Sequence, residues 1–114
     1  PGWNWRESWT LNTVRGPVLF KHQSAGPVLG DAAHEGMSLV VGHEHGKFGV
    51  EYGASTSRLY YGAHTGCLID KDALAFAYGK GFKLKPIIGC LMIIDGIPTP
   101  IPMPLNHHGR WTHG

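Results

Sequence analysis

Eight of the 114 residues are histidines, and two of them, His43 and His45, stand one residue apart between glycines in VVGHEHG, residues 40–46. On an extended backbone, side chains at i and i+2 leave the chain on the same side, so both imidazoles would face one site. The spacing is not the i, i+4 pair of a helical HExxH, which excludes a helical zinc-protease arrangement. Neutral imidazole suits zinc, iron, nickel and, in mixed nitrogen and oxygen sites, manganese. Gly42 and Gly46 let the backbone turn sharply and come close to a ligand. The bland alternative is a surface turn that happens to be rich in histidine.

The elements that would position these residues can be read around them. Val14 to His22 contains the β-rich run PVLFKH, expected to be a buried strand ending near His22. Pro27 suits the first turn of a short helix that Gly36 would close. Met37 to Gly42, MSLVVG, is a continuous apolar run with β-branched residues, the pattern of a strand covered on both faces. Strand, helical crossover and strand make a βαβ unit with parallel strands. Ligands of open α/β sheets bind beyond the carboxyl ends of the strands, and His22, His43 and His45 would converge there if the two strands are neighbours. Lys21 and Glu44 should point away from their histidine neighbours, which leaves Glu44 solvated or structural and not a base.

Downstream, KFGVEY at 47–52 and RLYY at 58–61 read as a hairpin or meander about the turn-forming GASTS. His64, in YGAHTG, reads as part of a glycine-bracketed turn. Asp70 to Asp72 is a polar turn, ALAFAY at 73–78 is ambiguous between helix and strand, and Lys80 to Lys85 is a basic surface segment. Pro86 to Ile94 is a last strong strand. From Asp95 onward the alternating prolines favour extended, polyproline-like backbone over a packed element. His107, His108 and His113 fall in that tail. Trp3, Trp5 and Trp9 crowd the start, where packing against another part of the protein is the expected use.

The totals bound the rest. A chain of this length makes one domain with a modest core, and a net charge of +2 does not argue for nucleic-acid binding. Cys67 and Cys90 sit in apolar stretches without a CxxC spacing and read as free thiols, which favours a reducing, cytoplasmic setting. No run approaches the roughly 20 apolar residues of a membrane span, and no signal peptide is evident. The opening at Pro1 suits a processed product or a fragment.

Taken together, KHQ at 21–23, an apolar strand running into GHEH at 42–45, YYGAHTGCLIDKDALAF at 60–76 and KPIIGCLMIIDG at 85–96 resemble the closing part of calcineurin-like metallophosphoesterases of phage and bacterial type. The resemblance spans about residues 18 to 97. That family carries the series DxH, GD, GNH(D/E), H and GHxH around a two-metal centre. The first three motifs are missing: Asp31 and His34 are spaced DxxH, Gly30-Asp31 follows His22, and Asn106-His107-His108 lacks the flanking glycine and acid. The resemblance therefore implies an α/β fold, the carboxyl-terminal half of a four-layer α/β/β/α sandwich, β-rich with one short crossover helix. Residues 1–97 would belong to that domain and 98–114 to an extended tail rich in proline and histidine.

By the same resemblance, His22 and His43 would ligate one divalent ion and His45 a second, the ions being Mn, Fe, Zn or Ni. Apart from the resemblance, His64 could reach the site through another ligand or meet a phosphate, although a plain surface-turn histidine is the favoured reading. The implied activity is hydrolysis of phosphomonoesters or phosphodiesters. The implied partners are the phosphoester, the absent amino-terminal half or a partner chain, and a second copy of the chain. The missing Asp and Asn ligands imply inactivity of this chain alone. The rival expectation is a non-catalytic interaction or assembly module built on the same fold.

Overall fold

The computed structural model describes residues 6–68 and 87–104. Seven strands and one helix follow in the order β1 (Ser8–Thr13), β2 (Gly16–Lys21), α1 (Val28–Glu35), β3 (Ser38–Val41), β4 (Phe48–Ala54), β5 (Leu59–Thr65), β6 (Gly89–Ile94) and β7 (Ile97–Pro102). Five strands form one sheet in the order β1-β2-β3-β5-β4, and β6 and β7 form a separate hairpin. The fold is mixed α/β, with a β-rich main sheet, a small second sheet and one helix.

The expected βαβ unit forms. β2 and β3 are parallel, with Val18 opposite Ser38 and Lys21 opposite Val41, and α1 crosses between them. β5 adds a third parallel strand beside β3, and β1 and β4 close the sheet antiparallel at its edges. All four residues of β3 are buried, because the sheet is covered on both faces there. Alternation along the strands sorts the core into two clusters. Leu19, Leu39 and Val41 pack with Val28 and Ala32 of α1. Val18, Val40, Tyr61 and Ala63 face the other way, toward Leu91 and Ile93 of the β6–β7 hairpin. The resulting layers are helix, main sheet and hairpin.

Three expectations need correction. The segment YGAHTG, read as a turn, lies in β5 as far as Thr65. Its Gly62 is there for proximity: a Cβ at this position would come within 2.9 Å of backbone atoms of Val28 and Leu29, so only glycine lets α1 settle on the strand. The strand β1 was not anticipated, since SWTLNT buries little and Trp9 remains 55% exposed, tilted against Phe20 with ring centroids 6.0 Å apart.

The third concerns the prolines after Asp95. Ile97–Pro102 is a strand paired antiparallel with β6, not free polyproline-like backbone. Asp95 and Gly96 both have positive φ, 52° and 78°, and make the tight turn that joins the two strands. The Met103 N–H donates to the Ile88 carbonyl at 2.9 Å, so odd-numbered residues direct their donors toward β6. Pro98, Pro100 and Pro102 then lack donors only on the outer edge, where a proline is tolerated in a sheet.

The polar turn at 70–72, ALAFAY at 73–78, the basic segment 80–85, the histidines at 107, 108 and 113 and the tryptophans at 3 and 5 lie outside the described residues. Among the described residues, no helix is long and apolar enough to cross a membrane. Cys67 and Cys90 are free thiols, the first of them buried.

Candidate metal centre

Three parallel strands end on the same side of the sheet, and each delivers a histidine there. His22 follows β2 directly, and His43 stands two residues beyond β3. The backbone locks these two ends together, since the N–H groups of Gly42 and His43 both donate to the His22 carbonyl, at 3.0 and 2.7 Å. The side chains then meet: His43 Nδ1 lies 2.9 Å from His22 Nε2, with ring centroids 4.8 Å apart and planes at 73°. Without a metal, that contact is a hydrogen bond in which one ring nitrogen donates and the other accepts. The third histidine, His64, pairs in register with Val41 and so lies at the same end of the sheet.

The sequence argument for His45 used an extended backbone, and the chain is not extended there. β3 stops at Val41, and residues 44–47 turn back, closed by the Lys47 N–H on the Glu44 carbonyl at 3.1 Å. The His45 carbonyl accepts from the Ile87 N–H at 2.8 Å, which ties this turn to the strand that leads into β6. Strand alternation therefore does not aim His43 and His45 in a common direction. His22 and His43 are the pair in direct contact.

Lys21 does point away from the pair, as expected. Its ammonium sits 3.2 Å from Asp31 Oδ2 and 3.4 Å from Glu35 Oε1, on the helix side of the sheet. Glu44 does not stand clear of the histidines. Its carboxylate pairs with Lys47 at 2.8 Å, and that hydrogen bond is the main reason its pKa falls below the usual carboxylate value. Partial burial opposes the fall, whereas the charge of Lys47 and the rings of His64 and His43 contribute to it.

Burial lowers the pKa of His64, while Glu44 and Glu51 pull it upward and Lys47 adds to the lowering. Its Nδ1 is buried with no hydrogen-bond partner among the described residues. The residue lines a cleft of about 460 Å³ with Lys47, Phe48 and Val28.

The donor set is partial. Two nitrogens on one ion at about 2.1 Å and angles of about 90° to 109° lie about 3.0 to 3.4 Å apart, so a small parting of His22 and His43 would seat them on a common ion. Among the described residues, no group of three or more His, Cys, Asp or Glu is gathered in metal-binding geometry. Of the nearby acids, Asp31 and Glu35 are engaged by Lys21 and Glu44 by Lys47. The two imidazoles are two donors, fewer than a metal site needs, and no carboxylate of the described residues joins them.

Sequence reasoning missed a second gathering of polar groups, at the opposite ends of the same strands. Arg15, Arg58 and Tyr61 line one cleft there. The two arginines sit on turns far apart in the chain, and no spacing rule links them. No family model, no curated protein and no solved structure matches this chain.

Proposed function

We propose that this chain supplies the imidazole side of a divalent-metal centre that hydrolyses phosphate esters, as the carboxyl-terminal half of a calcineurin-like metallophosphoesterase sandwich. The observation that carries the reading is the 2.9 Å approach of His22 and His43 across the ends of two adjacent parallel strands joined by a crossover helix. In the proposed site these two hold one ion through neutral ring nitrogens, and His45 holds the second. When bound, the ions supply Lewis acidity and an activated water. The Gly42 and His43 N–H groups, by gripping the His22 carbonyl, keep the two ligands at a fixed separation before any ion arrives. His64, whose pKa burial lowers, lies at the same end and in this reading donates to or accepts from a group bound there.

The order of helix, five-stranded sheet and two-stranded hairpin is what supports the sandwich reading. The outer face of the hairpin supports a missing fourth layer: Met92, Ile94, Ile97 and Ile101 are 45%, 55%, 43% and 37% exposed. An apolar face of this kind calls for a cover, here an amino-terminal half that would also bring the Asp and Asn ligands. The same surface favours the second reading, a non-catalytic module that assembles with a partner chain or a second copy of itself.

The test uses the protein joined to its amino-terminal half, with Mn²⁺ or Ni²⁺ and bis-p-nitrophenyl phosphate. Metal-dependent hydrolysis is expected, with His43→Ala lowering it by at least about 100-fold, as loss of a direct ligand should exceed the 10- to 100-fold cost of losing its supporting groups. Full activity in His43→Ala would overturn the assignment. Isothermal titration of this chain with Mn²⁺ separates the two readings, since a defined stoichiometry abolished by His22→Ala belongs to the first and no heat to the second.

A further inference from the structure

The end of the sheet remote from the histidines holds a cleft of about 460 Å³, in the size range of small-molecule sites. It opens where β2, β3 and β5 begin. Arg15 and Arg58 both line it, and each is already anchored through one nitrogen to a neutral acceptor. Arg15 Nε donates to the Asp95 carbonyl at 3.1 Å, and Arg58 Nη1 donates to the Gly36 carbonyl. Neither forms an ion pair among the described residues, where Lys21 and Lys47 supply the cations of the pairs that do form. A guanidinium has five N–H donors, so both keep most of their donors and their whole charge after anchoring.

Tyr61 lines the same cleft. It is 4% exposed, and its hydroxyl is buried with no hydrogen-bond partner among the described residues. A buried hydroxyl left without a partner costs about 1 to 3 kcal/mol. The walls beside these groups are flat and apolar. Tyr52 and Leu59 are 50% and 62% exposed. Tyr52 meets Tyr61 edge-on, with ring centroids 6.0 Å apart.

We propose that this cleft binds a small oxyanion, a carboxylate or a phosphate monoester, carried on a flat apolar body. The anionic oxygens accept from the free N–H groups of Arg15 and Arg58, and the body lies against Tyr52 and Leu59. Burial pushes the Tyr61 hydroxyl up to about 12, so it remains a donor throughout the physiological range. The cleft lies at the other end of the strands from the imidazoles, and the proposal does not depend on the metal reading.

The experiment titrates the full chain with phenyl phosphate in EDTA, following backbone amide resonances, so that failure of the metal site does not affect the result. Saturable shifts at residues 15, 58 and 61, and not at 22 and 43, are expected. Arg15→Gln and Arg58→Gln, each shown to be folded by circular dichroism, should weaken binding at least about tenfold, the scale of one lost charge-assisted hydrogen bond. Phenol and inorganic phosphate, each lacking half of the recognised structure, should bind at least about tenfold more weakly than phenyl phosphate. Benzoate should compete for the same resonances. Absence of saturable shifts at about 10 mM phenyl phosphate, a weaker limit than the millimolar affinities two such contacts should provide, overturns the proposal. So do shifts confined to the histidine end, or unchanged affinity in both arginine variants.

Discussion

The two ends of the parallel strands β2, β3 and β5 carry opposite chemistries on one scaffold. The carboxyl ends present His22, His43 and His64, whose ring nitrogens can donate or accept hydrogen bonds. The amino ends present Arg15, Arg58 and Tyr61, groups that stay charged or protonated at neutral pH and serve as donors. His22, His43, Arg15 and Arg58 come from the segments that flank the strands, Tyr61 and His64 come from β5 itself, and the middle of the sheet between the two ends is apolar. Leu39, Val40 and Val41 are no more than 4% exposed. A rigid, dry middle holds each set of polar groups at its own end.

The comparison can be broken at its shared middle or probed at one end at a time. The largest effect is expected from Leu39→Ala, because Leu39 is fully buried between α1 and the sheet. It should cost about 2 to 5 kcal/mol in urea unfolding. As it weakens the support of both ends, it should disturb the amide resonances of His43 and Arg58 together. A loss confined to one end would mean that the two sites do not share a scaffold.

Acid pH should act on the carboxyl ends. Burial holds the folded-state pKa of His64 below its ordinary 6.5, so the unfolded chain takes up its proton first. The contribution to stability is complete above pH 6.5 and is lost progressively as pH falls below it. His64→Gln should therefore show a shallower acid decline in denaturant midpoint than the unmodified chain, and an equal slope would remove His64 from the account.

The smallest effect at neutral pH belongs to the amino ends. Tyr61→Phe deletes a hydroxyl that has no partner among the described residues and keeps the ring, so stability at pH 7 should rise by about 1 kcal/mol, the low end of the cost of such a hydroxyl. In the unmodified chain the folded-state pKa of about 12 lies above the ordinary 10. Stability is therefore complete below pH 10 and declines as pH rises toward 12. The phenylalanine variant lacks this alkaline loss, which thermal melts at pH 9 and 11 would read directly.

Much of the frame was legible in the chain. The apolar run at 37–42, the Pro27 and Gly36 punctuation and the run ending at His22 together implied the βαβ unit, and that unit brought His22 beside His43. The pairing of KFGVEY with RLYY was also legible. Other parts were misread because one local signal concealed another. Asp95-Gly96 is a strong hairpin turn, yet the prolines after it pointed to unpaired backbone, and only pairing with β6 shows their missing donors to be harmless on an outer edge. Gly62 looked like turn punctuation, although it marks where a helix backbone presses on a strand.

By itself, the sequence determined the strand and helix periods, the ends at which histidines would appear and the absence of the earlier phosphoesterase motifs, because these follow from local spacing and residue type. Tertiary structure decided the rest. It turned the chain at 44–47 so that His22 and His43 meet while His45 lies on the turn beyond, and it drew Glu44 into the field of His64. It also gathered Arg15, Arg58 and Tyr61 around one cleft. The physical reason is that convergence of distant turns depends on which strands pair and in what register, and strand pairing is a non-local property that residue spacing does not encode.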